Sequence, residues 1–501
     1  MLQAQAILGL EALRRLEQRH RQAVPALMER AGAAAAKRVL EVLAQRTHSE
    51  HTEPPLPPLI VAGSGNNGGD ALVVARLLRQ HGLHPVVAFA GHLERLPPDA
   101  AAAYQAWIAS GGSVQHELDT QGYGLVVDGL LGIGLQRPLD GQFARWVETI
   151  NAASCPVVAL DIPSGLDAET GKVLGVAVRA THTASFLALK PGLLTLDGPD
   201  HCGAISVHDL GIDATAEAKA ESGSIGLSVA PALFAQALRP RRRNSHKGSY
   251  GSVAIIGGAP GMAGAALLAG RAALQLGAGR VYVGMLEHLA VDCLQPELML
   301  RPADAVLDQA TCLAVGPGLG TSAAALALLR GALQRQLPLL LDADALNLLA
   351  SHPALQRQVL RRQAPTLLTP HPAEAARLLC CSVEHIRGDR LSACRSLAAR
   401  FQAGVVLKGC GSIIAFPDGR WFINCTGNPG LASAGTGDVL TGIAAAFLAQ
   451  NIAADQALLA AVYVHGAAAE ACVEAGLGPT GLCASDIIPA ARQVFNSLLS
   501  A

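Results

Sequence analysis

Four short segments of the chain combine glycine with a carboxylate in the way that a phosphate-binding or proton-transfer site requires. They are GSGNNGGD at 63–70, VVDGLLGIGL at 126–135, DIPSGLDAETG at 161–171 and NPGLASAGTGD at 428–438. Glycine lets the backbone approach a ligand closely, and the free N–H groups at the start of a helix attract an anion. These segments are therefore the first candidates for binding and catalysis.

In the first half of the chain, three of these segments each follow a predicted strand. The oxygens of Asn67, Asp128 and Ser164 are ligands that suit a hard cation, and Asp161 has the chemistry of a general acid or base. The GSGNNGGD segment matches neither a GxGxxG fingerprint nor a GxxxxGK[ST] loop. Taken alone, it is equally compatible with a tight turn in which Asp70 caps a helix. Three such loops at one edge of a parallel sheet favour a site.

In the second half, the run AGTGD at 434–438 presents consecutive backbone N–H groups at a helix start, with Asp438 among them. In phosphoryl transfer, such N–H groups stabilise the migrating group while the carboxylate aligns or deprotonates the attacking hydroxyl. The alternative is that Asp438 only caps the helix. Lys408, at a strand end in VVLKGCGSII, either meets a nucleotide phosphate or is solvated. His371 in LLTPHPAE follows a predicted strand, where a lone histidine is more often structural than functional.

The elements that position these residues follow an alternating pattern. Short β-branched or leucine-rich runs alternate with alanine-rich helical stretches, which predicts βαβ units and parallel sheets covered by helices on both faces. A helix is predicted to begin at or near Asp70. The clearest predicted strands are Leu59–Ala62, Pro85–Ala88, Leu125–Val127, Val157–Leu160, Val253–Ile256, Val281–Val283, Cys312–Val315, Leu339–Leu341, Thr366–Leu368 and Val405–Leu407.

The length of the chain requires more than one domain. With 501 residues, it exceeds the roughly 250–300 residues at which a single core stops growing. We place the boundary near 214–230, where the strand pattern fades before the basic segment LRPRRRNS. The predicted fold class is therefore α/β in two domains, residues 1–213 and residues 225–501.

Composition excludes several classes of protein. Lys and Arg number 38 and Asp and Glu 39, so the basic excess typical of nucleic-acid-binding proteins is missing. The 11 cysteines include no CxxC pair, which favours reduced thiols over disulfides or a zinc site. The early charges argue against a signal peptide, and the longest apolar stretches are interrupted. We expect a cytoplasmic protein with no nucleic-acid or membrane partner.

The first half resembles the NAD(P)H-hydrate epimerase family. The segments LMERAG, GSGNNGGD, VVDGLLGIGL, DIPSGLDAETG and ASFLALKPGLL occur in the family's order across about residues 10–213. The resemblance implies a Rossmann-like three-layer fold and interconversion of the R and S forms of hydrated NADH or NADPH. It assigns potassium to Asn67, Asp128 and Ser164, and proton transfer to Asp161, which also contacts the substrate. The other implied substrate contacts are Asn66, Asn67, Gly68, Gly69, Asp70, Gly132, Ile133, Gly134, Leu135, Gln136, Arg137 and Pro138.

The second half resembles the ribokinase-like superfamily, and within it the ADP-dependent NAD(P)H-hydrate dehydratases. The segments HKGSYG, GGAPGMAGA, GPGLG, DADALN, TPHPAE, VLKG, NPGLASAGTGDVLTGI and ASDIIPA occur in order over about residues 230–499. The resemblance implies that the S hydrate is phosphorylated by ADP, with Mg²⁺, and then loses phosphate. It assigns the hydrate contacts to Ala265, Gly318, His371 and Asp438, with Asp438 catalytic. The implied nucleotide contacts are Lys408, Gly409, Cys410, Gly411, Ser412 and Gly437.

The two resemblances together predict one chain that repairs both epimers of NADHX and NADPHX, because an epimerase supplies the S form that a dehydratase consumes. By the same resemblance we expect a homo-oligomer. One rival is a ribokinase-like kinase for a small molecule, with a regulatory N-terminal domain and a phosphorylated product that persists. A second rival is an N-terminal domain that only binds a ligand or partner; it would need no acid–base group such as Asp161.

Overall fold

The computed structural model describes residues 3–47, 56–217 and 225–500. Its contacts divide the chain into two compact units, Gln5–Ile225 and Gly226–Ala501. Each unit has its own sheet and its own core, and each is described separately below.

The N-terminal unit is built on a parallel sheet. After the short β1 (Ala6–Ile7), its strands are β2 (Pro58–Ala62), β3 (Val86–Phe89), β4 (Leu125–Gly129), β5 (Val157–Leu160), β6 (His182–Phe186) and β7 (Ala204–His208). Their order across the sheet is β3-β2-β4-β5-β6-β7, and every neighbouring pair is parallel. The central strands β2 and β4 are buried along their whole length, as continuous apolar runs in a covered parallel sheet must be.

Helices cover both faces of this sheet. They are α1 (Leu10–Arg19), α2 (Leu27–Thr47), α3 (Asn66–Gln80), α4 (Pro98–Ala109), α5 (Gly141–Asn151), α6 (Pro191–Leu194) and α7 (Gly198–Cys202). Ile60 of β2 faces the core beneath α1 to α4, whereas its neighbour Leu59 faces the core that contains Trp146 of α5. Alternate strand residues therefore feed two cores, which gives the three layers that the sequence predicts.

The C-terminal unit is built on a larger mixed sheet. Its strands are β8 (Gly226–Ser228), β9 (Ser252–Gly257), β10 (Arg280–Met285), β11 (Met299–Pro302), β12 (Cys312–Val315), β13 (Leu339–Leu341), β14 (Thr366–Leu368), β15 (Gly404–Leu407), β16 (Ile413–Ala415) and β17 (Trp421–Ile423). They follow the order β8-β17-β16-β15-β14-β13-β12-β9-β10-β11. The pairs are parallel except that β16 runs antiparallel to β15 and β17.

Alanine-rich helices pack closely against this sheet. They are α8 (Ala263–Gln275), α9 (Ala323–Gln334), α10 (Ala343–Ser351), α11 (Pro353–Leu360), α12 (Pro372–Leu379), α13 (Val383–Gly388), α14 (Arg390–Phe401), α15 (Thr436–Ala449), α16 (Ala454–Glu474) and α17 (Ala484–Ser500). Gly442 of α15 lies where an added Cβ would be 2.1 Å from the carbonyl oxygen of Ala269 in α8. Small residues thus allow α15, which carries Asp438, to lie directly against α8.

One of these helices, α16, has the length and apolar composition of a membrane span, and two thirds (67%) of its most apolar window is buried inside the unit. Its residues Leu458, Val464 and Ala468 belong to the main hydrophobic core. The sequence did not identify this helix as a candidate membrane span, because the longest apolar stretches of the chain are interrupted. Its burial accounts for its composition, since a core helix is apolar on every side.

Two local predictions differ from the structure. Helix α3 begins at Asn66, with Gly65 as its N-cap, so the prediction of a start at or near Asp70 is wrong and Asp70 is not a cap. The two asparagines adopt helical geometry because the turn is completed by Gly63 and Gly65 alone. The strand predicted at Pro85–Ala88 lies one residue later, at Val86–Phe89, because proline cannot donate a ladder hydrogen bond.

Candidate active sites

A cleft of about 1000 Å³ lies in the N-terminal unit, at the carboxyl ends of its central strands. Three strand-end loops and helices α1 and α2 form its walls. The predicted site residues that line it are Asn66, Asn67, Asp70, Gly132, Ile133, Gly134, Leu135, Gln136, Arg137 and Asp161. Gly68, Gly69 and Pro138 were predicted to contact the substrate, but they are not among the lining residues. The structure therefore brings most of the predicted set to one cavity.

Gly68 and Gly69 have packing roles beneath the cleft. A Cβ at Gly68 would lie 1.8 Å from the carbonyl oxygen of Gly63, and one at Gly69 would lie 2.6 Å from the side chain of Met28. The Gly68 contact is with backbone, so a larger residue there would require a backbone shift. Gly68 therefore lets the first turn of α3 lie against the segment that follows β2, while Gly69 packs against Met28 of α2 and Ala100 of α4.

Asp161 is fixed at the end of β5 by three features. Its backbone is left-handed, with φ of 64°. Its carboxylate forms an ion pair with Lys190 and accepts a hydrogen bond from the backbone N–H of Phe186 at 3.0 Å. Lys190 is 1% exposed and also donates to Ser185 Oγ at 3.0 Å and to the Phe186 carbonyl at 2.9 Å. Left-handed backbone costs energy in a non-glycine residue and is typical of functional sites.

Two further carboxyl groups share the cleft with Asp161. Desolvation, followed by the charges of Asp161 and Glu17, raises the pKa of Asp70 well above its usual range. Desolvation and the charge of Asp161 also raise the pKa of Glu17. The cleft thus combines a carboxylate that is paired with a lysine and carboxyl groups that favour the protonated form, which is a suitable arrangement for moving protons.

The three predicted cation ligands lie together at the floor of the same loops. Asp128 accepts hydrogen bonds from Ser164 Oγ at 2.6 Å, Ser164 N at 2.8 Å and Leu130 N at 3.2 Å. The Leu131 backbone joins the other two residues, since its N–H donates to Ser164 Oγ at 2.8 Å and its carbonyl accepts from Asn67 Nδ2 at 2.9 Å. Side-chain and carbonyl oxygens therefore converge from three loops.

This oxygen cluster fits a monovalent cation. Asp128 is fully buried, and desolvation raises its pKa to about 6 although its hydrogen bonds oppose that shift. Within residues 3–47, 56–217 and 225–500, no Lys, Arg or His forms an ion pair with it. A buried carboxylate without a counter-charge is costly, and a hard cation held by oxygen ligands would supply that charge.

In the C-terminal unit, Asp438 is the third residue of α15, which begins at Thr436 after Gly435 with φ of 87°. It does not cap the helix, because the N-cap position is occupied by Gly435 and no side-chain cap hydrogen bond is formed there. The carboxylate instead stands beside the N-terminal N–H groups of the helix. The alternative of a structural cap is therefore wrong for this residue.

The strand-end position of Lys408 is also compatible with a solvated side chain. In the structure, however, its ammonium group is paired with acidic side chains. Its ammonium donates to Asp342 Oδ1 at 2.7 Å and lies 4.0 Å from Glu374 Oε2. Burial alone would lower the pKa of Lys408, but the carboxylates of Asp342, Glu374 and Asp438 outweigh it and raise the pKa. Lys408 is thus a fixed cation inside a group of acidic side chains.

Burial and neighbouring negative charges raise the pKa values of two of these acids towards neutral pH. Desolvation, and then the charge of Asp342, raises the pKa of Asp438 to about 7, although Lys408 opposes the shift. Desolvation raises the pKa of Glu374 to about 6. His371 caps α12, where its Nδ1 accepts from Ala373 N at 3.0 Å. Desolvation and Lys408 lower the pKa of His371, which favours the neutral imidazole.

Two further predicted substrate contacts of this unit, Ala265 and Gly318, lie in the first turn of α8 and in the loop after β12. Gly318 has φ of 56°, and a Cβ there would lie 3.2 Å from Ala265 and 2.5 Å from the Met262 carbonyl. The Gly320 N–H donates to Asp344 Oδ2 at 2.8 Å, and Asp344 acts electrostatically on Asp438. Gly318 thus packs on Ala265, and its loop is linked through Asp344 to the charge environment of Asp438.

The predicted nucleotide contacts Lys408, Gly409, Cys410, Gly411 and Ser412 form the hairpin loop between β15 and β16, while Gly437 lies in the first turn of α15. Arg390 of α14 is 3% exposed and supports the loop from below. Its guanidinium donates to the carbonyls of Cys410, Leu407 and Lys408, the last two at 3.3 Å. Gly437 is near Lys408, because a Cβ there would lie 3.3 Å from Nζ.

Sequence reasoning missed the partners of both acid–base candidates. Lys190 lies in ASFLALKPGLL, and Asp342 and Glu374 lie in DADALN and TPHPAE, segments that were recognised as motifs without a role for these residues. Charged residues immediately after apolar strands were the available signal, because such positions meet at one sheet edge. Arg390 gave no signal, since its position in α14 resembles an exposed helical arginine.

Comparison with known families agrees with the division of the chain into an N-terminal and a C-terminal unit. A family model described as NAD(P)H-hydrate dehydratase matches residues 253–489, and one described as the N-terminus of YjeF-related proteins matches residues 24–192. The bifunctional NAD(P)H-hydrate repair enzyme of Escherichia coli K12 is 39% identical over 451 residues, covering 87% of this chain and 85% of that protein. The Coxiella burnetii enzyme of the same name is also 39% identical, covering 87% and 90%.

Among solved structures, the chain is similar to the ADP/ATP-dependent NAD(P)H-hydrate dehydratase of Bacillus subtilis, which was crystallised with ATP and Mg²⁺. The identity is 30%, the TM-score is 0.48, and the match covers 54% of this chain and 98% of that one.

The predictions of family, of two α/β domains, and of an isomerase joined to a lyase are confirmed by these findings together with the topology of both units. The similarity to these two relatives covers 87% of the chain and therefore extends over both units. The chain therefore belongs to the family of bifunctional NAD(P)H-hydrate repair enzymes, with an epimerase domain followed by a dehydratase domain.

Proposed function

We propose that the N-terminal cleft interconverts the R and S forms of NADHX and NADPHX with Asp161 as the acid–base group. The observation that carries this proposal is the rigid placement of its carboxylate, by Lys190 and the Phe186 N–H, at the wall of a large cleft. Inversion at the hydrated ring carbon requires a group that takes up a proton and returns it, and a carboxylate within reach can do both. Asn66, Asp70 and the 132–138 loop would hold the remainder of the substrate.

We propose that the C-terminal unit dehydrates the S form with ADP. Asp438 takes the proton of the ring hydroxyl, whose oxygen attacks the terminal phosphorus of ADP, so that AMP leaves and a phosphate ester forms. Loss of that phosphate, together with a proton from the neighbouring ring carbon, then restores the ring double bond of NADH or NADPH. The observation that carries this step is the position of Asp438 in the first turn of α15, where burial raises its pKa to about 7, a value that suits a base at neutral pH. The N–H groups of 435–438 then stabilise the transferred phosphoryl group.

Two ions complete the proposal. Potassium, held by Asn67, Asp128 and Ser164, would balance the buried charge of Asp128 and keep the three loops of the epimerase cleft together. Magnesium would enter with ADP and neutralise phosphate charge. The Lys408–Ser412 loop and Gly437 would hold the AMP portion, while Ala265, Gly318 and His371 would contact the hydrate. A cytoplasmic location and a homo-oligomeric assembly stay predictions.

The test uses the full chain with an equal mixture of R and S hydrated NADH, ADP, Mg²⁺ and K⁺, and follows the recovery of the reduced-nicotinamide absorbance. The wild type is expected to recover the whole mixture. Asp161→Asn should recover the S half rapidly and the rest only slowly, because spontaneous epimerisation then limits the supply. Asp438→Asn should recover nothing, while chromatography shows that it still interconverts the two forms.

Recovery that is equally fast in Asp161→Asn would contradict the proposed role of that residue. No recovery by the wild type, with a phosphorylated product that persists, would instead favour the small-molecule kinase. Replacing ADP by ATP in parallel decides which nucleotide the chain prefers.

A further inference from the structure

Asp342, to which the proposed function assigns no role, joins two elements of the dehydratase site. It follows directly after β13, and its side chain is 2% exposed. One carboxylate oxygen accepts from Lys408 Nζ at 2.7 Å and the other from Thr441 Oγ1 at 2.8 Å. Lys408 lies at the end of β15 and Thr441 in the second turn of α15, so a single buried carboxylate connects the nucleotide loop to the helix of Asp438.

The first turn of α15 lies directly over this pair of charges. A Cβ at Gly437 would be 3.3 Å from Lys408 Nζ and 4.0 Å from Asp342 Oδ2. The close approach of the helix to the lysine thus depends on the small size of this residue. The helix start and Asp438 are positioned by contacts with the Asp342–Lys408 pair.

Several charged groups from neighbouring elements face Asp438. Asp342 and Asp344 come from the start of α10, Glu374 from α12, and Lys408 from the end of β15. Arg377 and the backbone N–H of His371 act on Glu374, while Lys408 acts on His371 and on buried His465 of α16. Of these groups, Asp342 and Lys408 have the largest electrostatic effects on Asp438 and act in opposite directions.

We propose that Asp342 is a positioning residue for the dehydration: it holds Lys408 against the first turns of α15, so that Asp438 works beside a fixed pair of opposite charges. The inference rests on the proposed dehydratase function. Without Asp342, Lys408 would keep only its longer contact with Glu374, at 4.0 Å, and α15 would lose the hydrogen bond of Thr441. Both the position and the ionisation of Asp438 therefore depend on this carboxylate.

The experiment measures kcat for dehydration of S-hydrated NADH as a function of pH, with saturating ADP and Mg²⁺, in the full chain. The wild-type rate should rise with pH through a midpoint near that of Asp438. Asp342→Asn removes a negative neighbour, so the midpoint should move to lower pH by about one unit. Lys408→Met removes the cation and should move it to higher pH.

Thr441→Val is the matched control, because it removes the hydrogen bond to Asp342 without changing a charge. We expect a lower kcat with an unchanged midpoint. If Asp342→Asn does not fold, the test uses Lys408→Met instead. A pH midpoint of kcat in Lys408→Met that equals or lies below the wild-type midpoint would overturn the inference.

Equal midpoints in the wild type and Asp342→Asn would overturn the inference while leaving the dehydratase function intact. A wild type that shows no dehydration at any pH would instead overturn the proposed function.

Discussion

At the scale of single residues, each candidate acid–base carboxylate lies beside a buried lysine, yet the two environments differ. Asp161 contacts Lys190 directly, whereas the lysine near Asp438 is already paired with Asp342. The charge of Lys408 is therefore partly neutralised, and burial raises the pKa of Asp438 to about 7. The same two residue types thus form a direct pair in one unit, whereas in the other the lysine is shared among several acids.

Potassium binding should depend on pH through Asp128. Its pKa of about 6 in the folded chain exceeds the ordinary value of about 3.9. Its contribution to stability is therefore complete below about pH 4 and is lost as pH rises through about 6. Because a cation requires the ionised carboxylate, saturating K⁺ in place of choline should raise the thermal unfolding midpoint at about pH 8 but not at about pH 5. Calorimetry at both pH values checks this.

The control for this effect is Asp128→Asn, which keeps the size of the side chain and removes its charge. It should abolish the response to K⁺ at high pH. An equal response at both pH values would show that K⁺ acts elsewhere.

The residues that could be predicted from the sequence are those whose type and loop indicate a function. Asp161 follows an apolar strand and Asp438 follows a glycine-containing segment at a helix start, and together with the other glycine-rich segments these positions predict chemistry. Lys190 and Asp342 could not be paired with them, because each partner lies tens of residues away and only the tertiary fold brings them together.

At the scale of elements, the start of α3 depends on close contact between two glycines. Gly68→Ala would place a methyl group 1.8 Å from the Gly63 carbonyl oxygen, so the backbone must move, at a cost of about 1–3 kcal/mol or more. We expect a clear loss of thermal stability and of epimerase activity. Gly65→Ala is the matched control, since a Cβ there meets nothing within 4 Å. Equal stability of the two variants would contradict this interpretation.

The shape of the hairpin loop 408–412 depends on the hydrogen bonds that Arg390 donates to its backbone. Arg390→Met leaves three backbone carbonyls without their guanidinium donor, and an unsatisfied buried acceptor costs about 1–3 kcal/mol. The loop should lose its fixed shape, so that KM for ADP rises more than kcat falls in steady-state kinetics. Arg395→Met, at an exposed position of the same helix, should change neither constant. A fall in kcat alone would point to a different role.

The positions of strands could be predicted where the local apolar pattern of the sequence matches the strand that forms. The apolar runs at Val157–Leu160 and Thr366–Leu368 form strands with the predicted bounds. Strand β6, with the polar sequence HTASF, lacks a strong apolar pattern and was missed. The segment VVLKGCGSII predicts that Lys408 and Gly409 end a strand and start a hairpin, and β16 does pair antiparallel with β15 across this loop.

At the scale of the whole molecule, two compact units with separate cores predict two unfolding transitions. ADP with Mg²⁺ should raise the transition of Gly226–Ala501, and K⁺ that of Gln5–Ile225. A ligand at about a hundred times its Kd stabilises its unit by about 2.7 kcal/mol. Scanning calorimetry with each ligand separately makes the measurement, and a single transition that responds to both ligands would contradict it.

The left-handed backbone of Asp161 has a consequence for any library made at that position. Its φ is 64°, which Asp, Asn and Gly tolerate far better than other residues. If all twenty amino acids are placed there and sorted for protein abundance, these three should dominate the survivors. A second sort for turnover should keep Asp alone. Selection at this codon therefore acts twice, once on conformation and once on chemistry, and the asparagine variant separates the two.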